Sequence, residues 1–187
     1  MLLLAAGILW ISMNPSTQDD PPPAPAAAAP ETPDMPGDWP AQIKIPTIQL
    51  TATVQPLGTE PDGTAEVPPL TETKTAGWYR GGPPPGEPGA AVMIGHRDSL
   101  GNTAAFYYLD RLDAGDRIEV TRHDGRVESF TVDSIEIIDK SAFPTDQVYG
   151  GAVGAQLRLV TCYGRYDLKR ETYPKNLIVF ATLASSA

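Results

Sequence analysis

The chain has 187 residues, 14 basic and 23 acidic side chains, and a net charge of -9. That length suits one domain with appendages and is enough to bury a real core. The acidic balance argues against a nucleic-acid binder, which would carry a basic patch, and the single cysteine excludes an intramolecular disulfide.

Residues 1–13, MLLLAAGILWISM, are apolar apart from Ser12. The run is shorter than the ~20 residues that span a bilayer, and it lacks the basic leader and small-residue cleavage site of a signal peptide. It reads as the remainder of a membrane anchor, with an interfacial or signal-like segment as the alternative. Residues 14–38 are dense in Pro, Ala and acids. Such a stretch buries too little apolar surface to fold, and its prolines keep it extended. It reads as a disordered stalk, or as a tail with no role of its own. Anchor, stalk and then domain is the order of an enzyme held outside the cell.

The domain reads as residues 39–183, followed by a tail at 184–187. Gln42–Leu50 places Ile43, Ile45 and Ile48 around Pro46, the mark of an edge strand or a bulge. Thr51–Leu57 continues as a strand, and Gly58–Thr64 is a turn cluster. Ala76-Gly77-Trp78-Tyr79 reads as a turn packed on the core, and Gly81–Gly89 as a surface loop. Ala90–Ile94 is a short apolar run, a buried strand that ends in Gly95-His96. Ala105, Phe106, Leu109 and Leu112 have helical spacing, which predicts a short helix within Asn102–Leu112. Arg117–Arg122 and Val127–Ile138 alternate as strands around an Asp124-Gly125 hairpin turn. Lys140–Gly151 is a loop carrying Phe143-Pro144. Leu157–Cys162 and Asn176–Thr182 are the last strands. Many short strands with turns between them, and no βαβ alternation, argue for an all-β barrel or sandwich.

Cys162 stands at the end of its strand, where Tyr163-Gly164 breaks the pattern. Free cysteines are often buried and inert. A strand end is also where a side chain meets a cleft, and there the thiolate is a nucleophile. It would need a base, and the chain has two histidines. His123 lies in the hairpin turn and reads as solvated. His96 ends a buried strand, as Cys162 does, so the two strand ends would form a Cys–His pair at one rim. Acyl transfer also needs a donor for the oxyanion, and the loop after Cys162 supplies Arg165 and Arg170. There is no Gly-rich phosphate loop and no metal-ligand spacing. Asp98, Asp110, Asp113 and Asp116 lack the EF-hand pattern of a calcium site. No cofactor or metal is expected.

Together these residues resemble the sortases, the membrane-anchored cysteine transpeptidases of Gram-positive bacteria. The features match in order: apolar segment, Pro-rich stalk, I-x-I-P at Ile43–Pro46, Gly95-His96, L-x-L-V-T-C at Leu157–Cys162, and N-L-I-V-F-A at Asn176–Ala181. Gly95-His96, Phe106–Val120, Ala142–Thr145, Val160–Cys162, Tyr173 and Asn176 are most similar to the class F sortases of actinobacteria. The cysteine follows the histidine, whereas papain-like peptidases of the NlpC/P60 kind place it first. Thr161-Cys162-Tyr163-Gly164-Arg165 also lacks the L,D-transpeptidase signature.

The resemblance implies a closed, roughly eight-stranded β-barrel, acting as a monomer outside the cell. Cys162 would attack the Thr–Gly bond of an LPxTG-like sorting signal, giving a thioester that an amine of a cell-wall precursor or a pilin resolves. His96 would be acid and base, and Thr161 a substrate contact. Better-known sortases carry their arginine at the start of the last strand, where this chain has Tyr173-Pro174-Lys175-Asn176. The role is therefore assigned to Arg170, with Arg165 as the alternative and Arg97, beside His96, a further one; Lys175 lacks the planar fork. The rival readings are a non-catalytic β-barrel binding module on a stalk and a cysteine peptidase that only hydrolyses.

Overall fold

The computed structural model describes residues 36–184. The apolar segment 1–13, most of the stretch 14–38 and the last three residues lie outside the described residues. Among the described residues no helix is long and apolar enough to cross a membrane.

Among the described residues ten strands form in chain order: β1 (Pro40–Ile45), β2 (Leu50–Leu57), β3 (Thr75–Tyr79), β4 (Gly89–Ile94), β5 (Asp98–Ser99), β6 (Asn102–Thr103), β7 (Arg117–Arg122), β8 (Val127–Asp139), β9 (Ala155–Tyr163) and β10 (Lys175–Leu183). Eight of them close into a barrel in the order β1-β2-β3-β4-β9-β10-β8-β7, and β5 and β6 form a separate small hairpin. The expected all-β barrel is the observed fold. Closure removes the free edges of the barrel sheet, so β1 is no edge strand: it pairs with both β2 and β7. Pro46, which suggested an edge, instead begins a 3-10 turn over Pro46–Ile48. Its missing N–H costs nothing there.

Strand alternation builds the interior. Ile43, Ile45, Ala91, Met93, Ile118, Val120, Leu157, Leu159, Leu177 and Val179 all belong to one buried core. Phe106, Leu109 and Leu112 join it, but from turns and one 3-10 segment, Leu109–Arg111, not from the expected helix. Spacings of three fit a 3-10 turn as well as an α-helix. The stretch 76–79, read as a turn, is part of strand β3, paired in parallel with β2. The outward side chains of the next strands, Val92, Val160 and Ile178, form a second cluster under Val148 of the short helix α1 (Thr145–Tyr149).

One pairing positions the site. β4 and β9 run parallel, with Gly89 opposite Ala155 and Ile94 opposite Val160. The constant offset of 66 (155 minus 89, 160 minus 94) sets position 96 level with position 162. The ladder continues past the end of β4, where Gly95 N donates to Val160 O at 3.1 Å.

Candidate active site

Parity decides which way the candidate side chains face. On β9, Leu157 and Leu159 point into the core, so Val160 and Cys162 point out of the barrel wall. On β4, Ala91 and Met93 point in, and continuing that alternation puts His96 on the outside with Val92 and Ile94. Cys162 is half-buried, and with His96 it lines a cleft of about 490 Å³. Thus the structure brings the two together at one rim, and Cys162 is not a core residue. His123, by contrast, is exposed in its hairpin turn.

The local sequence holds His96 in place from several sides. Gly95 turns inward against Phe106, and a Cβ there would lie 2.6 Å from the ring, so only glycine lets the strand end run this close. Phe106 N donates to His96 O at 3.0 Å, and Ala104 N donates to Arg97 O at 3.0 Å. The ring itself is fixed by a hydrogen bond of 2.6 Å between His96 Nε2 and Pro68 O. A carbonyl only accepts, so Nε2 carries the proton.

The arginines separate clearly. Arg170 is 82 % exposed and its nearest acid is Asp167, at 3.9 Å. It is not part of the cleft lining, although Glu171, Thr172 and Tyr173 beside it are. Arg165 is also exposed. Arg97 does line the cleft. Its side chain is 17 % exposed and lies 3.5 Å from Asp110. Its guanidinium stands over the rings of Tyr107 and Tyr163, at 4.8 and 4.9 Å. Among the described residues, Arg97 is the sole arginine or lysine of the lining. Thr161 is 2 % exposed, faces inward by the same parity as Leu159, and its Oγ1 has no hydrogen-bond partner among the described residues; the fold does not present it to the cleft.

Further lining residues tie loops to the site. Tyr173 donates to Asp98 Oδ2 and so ties the loop after Cys162 to β5. Burial, then this hydrogen bond and the Asp98 charge, holds the Tyr173 phenol well above the ordinary tyrosine value. Ser99 donates to Leu70 O, which ties the β2–β3 connection to the site. Leu70, Leu100 and Tyr166 are exposed apolar side chains that all belong to the lining, giving the cleft an apolar lip. Three of the scattered acids have partners: Asp98 with Tyr173, Asp110 with Arg97 and Asp116 with Thr47 and the Asp113 amide.

The arrangement suits covalent acyl transfer. A half-exposed thiol shares a cleft with an imidazole whose outer nitrogen is fixed, with a guanidinium and with apolar walls. Such a site can form a thioester and move one proton each way.

A sortase domain model matches residues 43–184. Among solved structures, sortase C-1 from Actinomyces oris is 25% identical over 78% of this chain and 72% of its own, with a TM-score of 0.60. Sortase C from Clostridium perfringens SM101 is 21% identical over 81% of this chain and 73% of its own, with a TM-score of 0.57. A Clostridium perfringens sortase D5 transpeptidase is 22% identical over 79% of each chain, with a TM-score of 0.57. No curated protein matches the sequence.

Proposed function

The chain belongs to the sortase family of cysteine transpeptidases, and from that premise we propose that Cys162 and His96 are its reacting pair. The Cys162 sulfur attacks the Thr carbonyl of an LPxTG-like signal. His96 gives a proton to the departing glycine amine, which leaves a thioester on Cys162. An incoming amine attacks the thioester, loses its proton to His96 and expels the thiolate. Atoms and protons balance over the two steps, and one new amide replaces the old. The observation that carries this reading is the shared cleft set by the β4–β9 register.

In this reading the arginine role falls to Arg97 rather than to Arg170 or Arg165, because Arg97 is the one of the three in the cleft lining. Both its contacts, to Asp110 and to the Tyr107 carbonyl, use Nη1, so the rest of its fork can meet the oxyanion or a substrate carbonyl. Class F character is proposed on the Gly95-His96, Phe106–Val120 and Ala142–Thr145 motifs. Action outside the cell, on an N-terminal anchor, is proposed on the apolar segment and Pro-rich stretch of residues 1–38. The amine acceptor is proposed to be a wall precursor or a pilin lysine, with the enzyme working as a monomer.

The test is mass spectrometry of the chain with an LPxTG peptide, with and without triglycine. A thioester adduct on Cys162, and a peptide–amine product absent in Cys162→Ala and His96→Ala, is the expected result. Hydrolysis alone, unchanged by the added amine, would replace the transpeptidase with a peptidase. Folded protein with no adduct and no cleavage of any such peptide would sink the reading.

A further inference from the structure

Residues 67–73, part of the connection between β2 and β3, reach the cleft as a strap, and side chains of the cleft grip two of its carbonyls. Pro68 O takes the hydrogen bond from His96 Nε2 at 2.6 Å, and Leu70 O takes one from Ser99 Oγ. Ser99 lies on β5, is 4 % exposed, and lines the cleft with His96, Cys162 and Leu70. Pro68 is buried while Pro69 is exposed. Two successive prolines fix their φ angles, so the strap is stiff and its place depends on few anchors.

We propose that Ser99 is a positioning residue: through Leu70 O it holds the strap, and through Pro68 O the strap holds His96 as the Nε2–H tautomer. This rests on the reading of Cys162 and His96 as the reacting pair. Because the carbonyl only accepts, Nε2 keeps its hydrogen in both the neutral ring and the imidazolium. The lone pair of the neutral ring is then confined to Nδ1, and both proton transfers run through that nitrogen. Among the described residues no carboxylate pairs with His96, so the Pro68 carbonyl takes the place of the third group that orients a catalytic base. Without it the neutral ring divides between tautomers and orientations, and part of the enzyme presents a donor where it needs an acceptor.

The experiment is nitrogen NMR of 15N-histidine-labelled full chain, together with the pH profile of LPxTG–triglycine transpeptidation. Wild type, Ser99→Ala and Ser99→Thr are compared, and His123→Gln assigns the His96 signals. Wild type should show two well-separated ring signals for His96 at a pH where the ring is neutral. Ser99→Ala should draw them together and lower kcat about tenfold, a tenth or less of what a full acid–base loss costs, with little change in KM. The limb of the profile that reports the imidazole should move as well, and Ser99→Thr, which keeps the hydroxyl, should restore both readouts. Ser99→Ala with wild-type ring signals overturns the inference, whatever its activity. If Ser99→Ala fails to fold, Pro69→Gly loosens the strap from its exposed side and carries the same expectations and the same refutation. Transpeptidation surviving in Cys162→Ala would instead remove the parent reading, and the ring signals would still report separately on the strap.

Discussion

Replacing Arg97 by alanine tests the proposed arginine role, which the sequence reading gave first to Arg170. The guanidinium sits 3.5 Å from Asp110 and over two tyrosine rings at 4.8 and 4.9 Å. Two partly desolvated cation–π contacts contribute about 1 kcal/mol each. The ion pair adds under about 1 kcal/mol, because Asp110 can rehydrate when left alone. Arg97→Ala should therefore cost about 2–3 kcal/mol and, in a chain of this size, lower Tm by roughly 5–10 °C, leaving the protein folded at 25 °C. Loss of one oxyanion donor costs about 10²- to 10³-fold in kcat. Arg97→Lys keeps the charge and the ring contacts but not the fork, and should fall between. Arg170, 82 % exposed with an acid at 3.9 Å, should change kcat less than about twofold as alanine and leave Tm alone. The assay is the rate of peptide–amine product formation with saturating LPxTG peptide, well below each variant's Tm. Near-wild-type turnover in Arg97→Ala, together with a hundredfold loss in Arg170→Ala, would refute the assignment and require the loop after Cys162 to fold inward during the reaction.

Three further outcomes follow from the same geometry. Gly95→Ala should drive a methyl into Phe106, at 2.6 Å before relaxation, costing about 1–3 kcal/mol; by displacing His96 it should lower kcat by about 10²-fold, read by thermal melting and turnover on one preparation. Thr161→Val removes a buried hydroxyl that has no partner among the described residues, so stability should hold or rise by about 1 kcal/mol and turnover should persist; a large rise in KM would show that Thr161 reaches substrate after all. Tyr173 binds its proton more tightly folded than unfolded, so its contribution is whole below the ordinary tyrosine pKa of 10.0 and is lost as pH climbs above it. Denaturant melts of wild type minus Tyr173→Phe should show a difference that is flat to about pH 10 and shrinks beyond it; a difference that grows with pH would contradict the raised phenol.

Alternation made most of the strands legible, because each residue of a barrel wall faces either core or surroundings and the sequence records which. Leu157, Leu159 and their neighbours announce β9, and Ala90–Ile94 announces β4. The failures share a cause: local pattern does not say what lies opposite. Phe106, Leu109 and Leu112 have helical spacing, yet they enter the barrel core from turns. The stretch 76–79 contains Gly77, which suggests a turn. A Cβ there would overlap the Leu57 side chain, so the glycine serves the close approach of β3 to β2. Pro46 suggests an edge only until β7 is known to close the barrel on β1. The placement of Cys162 and His96 at matched strand ends was legible. The contacts of Pro68 with His96 and of Ser99 with Leu70 depend on loops meeting across the rim, and no short-range signal encodes such a meeting.

The parity of one strand separates an inert thiol from a usable one. Thr161 and Cys162 are neighbours on β9, but Thr161 is turned into the wall at 2 % exposure while Cys162 looks out onto the cleft. A cysteine one position earlier would share the fate of the Thr161 hydroxyl, buried and without a partner among the described residues. The same parity, carried across the parallel ladder, brings out a histidine 66 residues away in sequence (162 minus 96) at the same height. In an antiparallel pair, the residues joined at one end diverge along the strands, so matched C-terminal ends at one rim require the parallel pairing of β4 with β9. Strands β10 and β3 flank this pair and keep its register from slipping, since a one-residue slip would turn Cys162 or His96 into the core.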